Sequence, residues 1–399
     1  MLVIKTTKFK NVDFDIGNND YLMLTEMQTT YSDYNLEIPN LNVSGTLWAW
    51  GDNTYGQLGQ GDTTPRSSPI QVGIETSWKS ISIAAYGNSV GVINNKGFLF
   101  AWGDNTYGQL GAQDRNHRSY PQGIGAITDF WNQLSFNEST SYAIKTDGTL
   151  WAWGRNSNGE LGNGVNILPR SSPGQIGSLT NWKQISGGGA AALAVKTDGT
   201  LWGWGANGSG QLGLGNTLNR SSPTQVGALT DWQYVAGGFY HAAAIKTDGT
   251  LWTWGFNTYG QLGHNDRTSR SSPVQVGTLT NWKQVSVGKN HTLAIKTDGT
   301  LWGWGRNDWG QLGIGLSGAA HRSSPVQIGT LTNWKTVDCG ENVVAAIKID
   351  GTLWTWGYNN NGQLGYGYLQ SMSSPVQVSA LSKWKQVSAS SYFMIGQKK

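Results

Sequence analysis

The chain has 399 residues, of which 13% are charged, and it contains 56 glycines and 21 tryptophans. This composition favours short strands joined by tight turns over helices or disorder. The formal net charge of +4 gives no support for a nucleic-acid or membrane partner, because such partners need basic residues clustered on one face. The single cysteine, Cys339, excludes an intramolecular disulfide.

Residues 1–43 differ from the rest of the chain because they contain no copy of the repeat described below. They are locally acidic, with six acidic residues and three lysines. Such a segment either packs on the remainder of the protein or orders on a partner. We therefore predict an N-terminal arm that serves as a docking or assembly segment.

From residue 44 onward the sequence is a tandem repeat, which is the signature of solenoids and propellers. The pattern G-x-L-[WF]-x-W-G-x-N-x-x-G-x-L-G recurs with its second aromatic residue at Trp50, Trp102, Trp153, Trp204, Trp254, Trp304 and Trp356. A further tryptophan recurs later in each unit, at Trp78, Trp131, Trp182, Trp232, Trp282, Trp334 and Trp384.

Each unit contains four strand-like segments, which we label A to D. In the unit that begins at residue 282 they read WKQVSVG, HTLAIK, TLWGWG and PVQIG. The turn T-D-G joins strands B and C, and Asp-Gly between two apolar runs is a strong hairpin signal. Repeated units of four short strands predict the blades of a β-propeller.

The two ends of the repeat region each supply half a unit. Residues 44–73 provide strands C and D, whereas residues 384–397 provide strands A and B. We therefore predict an all-β, seven-bladed propeller over residues 44–399, whose first blade combines residues 44–73 with 384–397. Pairing of the C-terminal strands A and B with the N-terminal strands C and D closes the ring and removes exposed sheet edges.

The tryptophans predict how the blades pack. Two tryptophans in L-W-x-W-G lie two residues apart, so they project from the same face of strand C. The residue between them is always small: Ala49, Ala101, Ala152, Gly203, Thr253, Gly303 and Thr355. A face of indoles on one blade is expected to meet a face of small residues on the next, which explains the tryptophan content by architecture alone.

The text G-T-L-W-x-W-G-x-N-x-x-G-Q-L-G-x-G resembles the repeat of the regulator-of-chromosome-condensation family, over roughly residues 44–397. The resemblance implies a seven-bladed propeller. It also implies three kinds of role found in the family: nucleotide exchange on a small GTPase, ultraviolet-B reception through surface tryptophans, and inhibition of an enzyme. The chain lacks a large insertion and a basic tail like those of the exchange factors, and it lacks the text G-W-R-H-T of the receptor.

No motif in the chain indicates catalysis, a cofactor or a metal. GSGQLG at 208–213 matches G-x-G-x-x-G, but the same slot reads TYGQLG in other copies, so we interpret it as a structural turn. The five histidines show no metal-ligand spacing. Structural roles are also favoured for the loop asparagines (Asn53, Asn105, Asn156, Asn207, Asn257, Asn307 and Asn359) and, over an anion-binding ring, for Arg66, Arg118, Arg170, Arg220, Arg270 and Arg322.

One face of the ring varies between copies. The A–B and C–D loops share this face, and the A–B loops read, for example, FNESTS, GGGAAA and GGFYH. Neutral drift is one explanation, and a partner-binding face is the other. The candidate contact residues near the axis are Tyr86, Phe239, Tyr240, His241, Lys289, Asn290, His291, Glu341, Asn342 and Tyr392, with the aromatic quartet Tyr55, Tyr107, Tyr259 and Trp309 outside them.

These observations predict a non-enzymatic binding or structural platform for a protein partner, for neighbours in an assembly, or for a glycan. The style of the repeats favours a structural component of a phage virion or a similar assembly. The alternatives are a regulatory propeller, such as an exchange factor or an enzyme inhibitor, and, least favoured, an enzyme acting in the central channel. Without a signal peptide or a membrane span in the sequence, we expect a virion or cytoplasmic location.

Overall fold

The computed structural model describes residues 45–399, so the predicted arm over residues 1–43 lies outside the described residues. The described part forms 28 strands in seven antiparallel sheets of four. Within these residues there is no helix with the length and hydropathy that crossing a bilayer requires.

We number the blades along the chain, starting from the blade that both ends of the ring share. Blade 1 opens with β1 (Thr46–Gly51) and β2 (Arg66–Val72). Blade 2 is β3 (Trp78–Ile83), β4 (Ser89–Asn94), β5 (Leu99–Gly103) and β6 (Arg118–Ile124). Blade 3 is β7 (Trp131–Phe136), β8 (Thr140–Lys145), β9 (Leu150–Gly154) and β10 (Arg170–Gln175). Blade 4 is β11 (Trp182–Gly188), β12 (Ala191–Lys196), β13 (Leu201–Gly205) and β14 (Arg220–Gln225).

The second half of the ring repeats the same plan. Blade 5 is β15 (Trp232–Gly237), β16 (His241–Lys246), β17 (Leu251–Gly255) and β18 (Arg270–Gln275). Blade 6 is β19 (Trp282–Val287), β20 (His291–Lys296), β21 (Leu301–Gly305) and β22 (Arg322–Gln327). Blade 7 is β23 (Trp334–Cys339), β24 (Val343–Lys348), β25 (Leu353–Gly357) and β26 (Met372–Gln377). The strands β27 (Trp384–Ala389) and β28 (Phe393–Lys398) then complete blade 1.

The ring closes as the sequence predicts. The strand order in blade 1 is β2-β1-β28-β27, so the last strand of the chain pairs with the first. Trp48 stands opposite Gly396 and Gly51 opposite Phe393 in this antiparallel ladder. The prediction of a seven-bladed propeller closed by its two ends is confirmed.

The hydrophobic core consists of separate layers between neighbouring blades. Between blades 3 and 4, for example, Leu150 and Ala152 of one sheet face Trp182 and Trp204 of the next. The Trp182 ring centre lies 6.1 Å from that of Trp202 and also 6.1 Å from that of Trp204, so both strand-C indoles project from one face as predicted. Each layer ties two blades together because neither sheet buries its apolar face alone.

The repeated text K-T-D-G-T-L-W builds the corner between strands B and C. In blade 4 the indole Nε1 of Trp202 donates to Thr200 Oγ1 at 2.8 Å, and that hydroxyl donates to Asp198 Oδ1 at 2.7 Å. Lys196 Nζ lies 3.6 Å from the centre of the Trp202 ring. Gly199 has a φ of 78°, and an added Cβ would lie 2.0 Å from the carbonyl oxygen of Thr230. Nearly every residue of this text is therefore fixed by local structure.

The loop asparagines and arginines hold the C–D loops. Asn207 is fully buried; its Oδ1 accepts the backbone N–H of Leu212 at 2.9 Å and its Nδ2 donates to the carbonyl of Asn216 at 2.9 Å. The same Oδ1 contact recurs at Asn53, Asn105, Asn156, Asn257, Asn307 and Asn359. Ion pairs with the aspartate four residues earlier hold Arg66, Arg118 and Arg270. The structural interpretation is confirmed for these residues.

Candidate partner-binding face

Two sets of loops meet on one face of each blade. The backbone N–H of the residue that follows strand C donates to a carbonyl of the A–B loop in the same blade, as in Phe256 to Tyr240 at 3.0 Å and Tyr358 to Asn342 at 3.0 Å. This bond fixes the start of each C–D loop beside an A–B loop. The side chain after the W-G pair therefore stands on the same surface as the A–B loop residues.

Four of the predicted residues form a cluster on the ring axis, which we call the axial cluster: Tyr86, Phe239, Lys289 and Glu341. The rings of Tyr86 in blade 2 and Phe239 in blade 5 meet edge to face at 4.9 Å. Blades 2 and 5 are three steps apart in a ring of seven, so this contact crosses the axis. Side chains of opposite blades thus meet across the axis at this level.

Charges in the axial cluster are paired within the protein. Lys289 Nζ lies 2.7 Å from Glu341 Oε1 and 5.3 Å from the centre of the Phe239 ring. Ser391 donates from its hydroxyl to the other oxygen of Glu341 at 3.1 Å. Burial raises the pKa of Tyr392, and the charge of Glu341 raises this pKa further. Tyr86 is buried, contrary to its prediction as a contact residue, so a partner meets Phe239 and neutralised charges here rather than a strong field.

Each member of the aromatic quartet reaches a side chain of the following blade. The distances are 5.0 Å between the ring centres of Tyr55 and His117, 5.5 Å from Tyr107 to the guanidinium of Arg155, 5.1 Å between Tyr259 and His321, and 4.7 Å between Trp309 and Tyr358. The quartet thus bridges blades on the outer part of the predicted face.

The expectation that His241 and His291 offer their side chains on this face is wrong. Both are the first residues of strand B, and both are fully buried against the next blade. His241 Nε2 lies 2.9 Å from Thr292 Oγ1, whereas neither ring nitrogen of His291 has a hydrogen-bond partner among the described residues. Burial lowers the pKa of each imidazole to about 3.

Two predicted asparagines also face inward. Asn290 is buried, and its Oδ1 accepts from Gln261 Nε2 at 3.5 Å. Asn342 accepts from Gln311 Nε2 at 3.3 Å in the equivalent contact of the next blade. These amides brace the G-Q-L-G loops; Asn290 is removed from the surface by burial, whereas Asn342 is half-buried.

The residue directly after each W-G pair also lies on this face, although it was not among the contact residues predicted from the sequence. This position holds Asp52, Asp104, Arg155, Ala206, Phe256, Arg306 and Tyr358, and it is among the most varied of the repeat. Its variation between copies was the available signal. The structure places these side chains beside the A–B loops, as the backbone contacts described above require.

Six aromatic residues of this face form a curved band from blade 5 to blade 1, which we call the aromatic arc: Tyr240, Phe256, Tyr259, Trp309, Tyr358 and Tyr392. Tyr240 and Phe256 are 5.9 Å apart between ring centres. The guanidinium of Arg306 lies 5.1 Å from the centre of Tyr259 and is paired with Asp308 at 2.6 Å. Tyr240, Trp309 and Tyr392 are 36–41% exposed, so the arc is open to a partner.

The loops of blade 4 carry small residues on this face. In blade 4 the equivalent loop positions hold Gly189 and Ala190, with Ala206 and Gly208 in the C–D loop. The seven blades are therefore not equivalent on this face, and blade 4 offers no large ring to a partner.

Metal and nucleotide sites receive no support from this geometry. In the described part of the chain, no three residues of the His, Cys, Asp or Glu type come together as ligands. Cys339 is buried. The GSGQLG text lies between the strands β13 and β14, so the helix that a dinucleotide fingerprint needs does not follow it.

Comparison with family models agrees with this architecture. Residues 131–396 match the model of the RCC1-like domain. Residues 44–92 and 96–133 match the model of the regulator of chromosome condensation (RCC1) repeat. The chain belongs to the RCC1-like propeller family. The family that the repeat text resembles is thereby confirmed.

Curated relatives of this RCC1-like chain match it over less than half of its length. The ultraviolet-B receptor UVR8 of Arabidopsis thaliana is 32% identical over 181 residues, which is 45% of this chain and 41% of the receptor. The E3 ubiquitin-protein ligase HERC2 of Homo sapiens is 31% identical over 182 residues, or 44% of this chain and 4% of the ligase. The matched parts are thus well short of the relatives' full length.

Solved structures show the same RCC1-like fold. Prp20p of Saccharomyces cerevisiae superposes with a TM-score of 0.79 at 22% identity, covering 90% of this chain and 92% of the other. Human WBSCR16 gives a TM-score of 0.79 at 22% identity, covering 89% and 99%. At this identity the likeness concerns the fold alone.

Proposed function

We propose that the protein is a rigid platform that binds a partner protein through the aromatic arc. The observation that carries this proposal is the band of partly exposed rings from Tyr240 to Tyr392, which spans four neighbouring blades of one face. Tyr, Trp and Arg dominate the residues that contribute most to protein interfaces. A scaffold of hydrogen-bonded blades presents them with little conformational entropy left to lose.

The paired charges indicate what sort of contact is formed. Lys289 is neutralised by Glu341, and Arg306 by Asp308, so long-range attraction contributes little. Affinity then comes from burying the rings of Trp309, Tyr358 and Tyr240. An interface of this kind depends weakly on salt concentration, because it releases few bound ions.

A regulatory propeller is the alternative form of the same proposal. Prp20p has the same fold, and its structure was described together with its binding properties to Gsp1p and histones. An exchange factor or an enzyme inhibitor would use a face such as this one against a single enzyme. The ligase activity in the name of HERC2 belongs to a protein of which this chain matches 4%, so we do not extend it to this chain.

The narrower predictions made from the sequence remain predictions. A glycan partner and a place in a phage virion rest on the loop composition and on the style of the repeats. The relatives described above are a receptor, a ligase and propellers of eukaryotes, and they add nothing to either idea. Protein binding is the form of the proposal that the aromatic arc supports best.

Capture of the partner from the natural source tests the proposal. We expect Trp309→Ala and Tyr240→Ala each to weaken capture of the co-purifying protein by about 2 kcal/mol, or about 30-fold, because each removes an exposed ring of the arc. The matched control is Tyr120→Ala, since Tyr120 is also exposed but lies on the outermost strand of blade 2. Mass spectrometry of the native complex separates a lone enzyme from a multi-component assembly.

Two results would count against the face. Unchanged capture by both arc variants would refute the assignment of this face as the binding surface. An equal loss of capture in the Tyr120→Ala control would refute it too. Thermal unfolding of all three variants should stay close to the parent, since the substituted rings lie on loops and an outer strand.

We also propose that residues 1–43 tether the ring to its partner or assembly. All 28 strands of the described ring lie within residues 46–398. Deletion of residues 1–43 should therefore leave a folded propeller with weaker capture. Loss of the folded ring on deletion would refute this role.

A further inference from the structure

A groove opens on the outer side of the ring, between blades 6 and 7, away from the aromatic arc. It encloses about 520 Å³, and its lining includes Ile314, Leu316, Leu331, Trp354, Pro375 and Arg322. Leu316 is 50% exposed. Ligand sites of this volume are common in proteins, and most combine apolar walls with a few polar groups.

Arg322 differs from Arg66, Arg118 and Arg270, which pair with an aspartate, and resembles Arg220, which donates to the carbonyls of Leu218 and Asn219. In blade 5 the guanidinium of Arg270 pairs with Asp266 at 2.7 Å. Arg322 instead donates to the carbonyls of Ala320 at 3.3 Å and His321 at 3.1 Å. Within residues 45–399, no carboxylate lies at ion-pairing distance from it. Its positive charge therefore remains uncompensated beside an apolar wall.

The residue that replaces the missing aspartate is Leu316. In blade 5, Asn257 Nδ2 donates to the carbonyl of Asp266 at 3.2 Å. In blade 6, Asn307 Nδ2 donates in the same way to the carbonyl of Leu316 at 2.8 Å. The two loops thus place a carboxylate in one blade and an exposed aliphatic side chain in the other at an equivalent site.

We propose that this groove binds an extended segment of a partner protein in which a carboxylate side chain adjoins an aliphatic one. The carboxylate would take the charge-assisted hydrogen bonds that Asp266 supplies to Arg270 in blade 5. The aliphatic side chain would cover Leu316 and Trp354, whose apolar surface is otherwise in contact with water. This site lies on the rim of the ring and is independent of the aromatic arc.

A second groove, between blades 7 and 1, shows what the arginine adds. It encloses about 380 Å³ and is lined by Tyr366, Tyr368, Leu381 and Pro69. Met372 begins strand D of blade 7, where the other blades have arginine. Apolar walls are thus common to both grooves, whereas the cation belongs to the groove between blades 6 and 7. Of these two grooves, the one between blades 6 and 7 is therefore expected to recognise a carboxylate.

The test uses the full chain and two blocked tripeptides, acetyl-Leu-Asp-Leu-amide and acetyl-Leu-Asn-Leu-amide, titrated by saturation-transfer NMR. We expect the aspartate peptide to bind with a dissociation constant of about 1 mM and the asparagine peptide about 10-fold more weakly. Arg322→Gln should abolish this preference. Leu316→Asp should also abolish this preference. The new aspartate would pair with Arg322 as Asp266 pairs with Arg270 in blade 5, and would so neutralise the charge of Arg322.

The matched control is Arg270→Gln, which removes an arginine that is already paired and should leave binding unchanged. Equal binding of the two peptides would overturn the proposal, as would unchanged binding by Leu316→Asp. Absence of binding at about 10 mM peptide would overturn it too. None of these results tests the proposal for the aromatic arc, whose variants are tested by partner capture.

Discussion

Acid should destabilise the ring through His291, and the substitution His291→Phe should remove that effect. His291 is fully buried, and neither of its ring nitrogens finds a partner among the described residues. Phe393 occupies the equivalent first position of strand B in blade 1 and is also fully buried, so the architecture accepts a phenyl ring there. The substitution replaces a titratable group by an apolar one at one inter-blade layer.

The magnitude follows from the two pKa values. Burial lowers the pKa of His291 from 6.5 to about 3. Between these values the unfolded chain binds a proton that the folded chain does not, so stability falls as the pH is lowered. From about pH 7 to about pH 5 the loss is about 2 kcal/mol for this residue, at 1.36 kcal/mol per pKa unit.

Urea unfolding followed by tryptophan fluorescence at both pH values measures this difference. The parent should lose about 2 kcal/mol more than His291→Phe between about pH 7 and pH 5. The reciprocal variant Phe393→His should add a pH dependence of similar size in blade 1. An identical pH dependence in parent and His291→Phe would refute the reasoning, whatever the variant's stability at neutral pH.

Two further changes test the ring interior. Asp338 accepts from the Ala389 N–H at 2.9 Å and from Ser388 Oγ at 3.1 Å, and burial raises its pKa from 3.8 to about 6. The folded state therefore favours the protonated carboxyl over the ionised one. The stability that this protonated form contributes is lost as the pH rises from about 4 through about 6. Asp338→Asn should stabilise the ring by about 1–3 kcal/mol near pH 7 and by almost nothing below about pH 4; urea unfolding showing the same gain at both pH values would contradict this. Ile395→Ala in β28, which faces Ala49 of β1, should cost about 2–5 kcal/mol in the same assay, whereas an open ring with a free β28 would lose almost none.

The periodicity of the sequence predicted the architecture because nearly every residue of the repeat has a local structural role. K-T-D-G-T-L-W specifies the corner through the Trp202–Thr200–Asp198 contacts, and its recurrence therefore reports a recurring hairpin. Closure was predictable for the same reason, since half a unit at each end has no other partner. The match between indoles and small residues also follows from the spacing of two in strand C.

The site was less predictable, because side-chain direction at the ends of strands depends on neighbouring blades. His291 follows a variable loop in the sequence, yet it belongs to strand B and points into the layer against blade 7. Phe256 and Tyr358 directly follow an invariant W-G pair, and for that reason they were not predicted as contact residues. The groove at Arg322 was hidden by two extra residues in the C–D loop of blade 6, which move Leu316 out of the spacing that Asp266 has to Arg270.

Hydrogen exchange of the ring with and without its native partner tests whether the aromatic arc is the binding surface. We expect slower exchange in the loops of the aromatic arc, around residues 238–241, 256–260, 306–310, 358–361 and 390–392, and no change in the B–C corners at 197–200, 247–250 and 297–300. Slower exchange confined to those corners, with the arc loops unaffected, would contradict it.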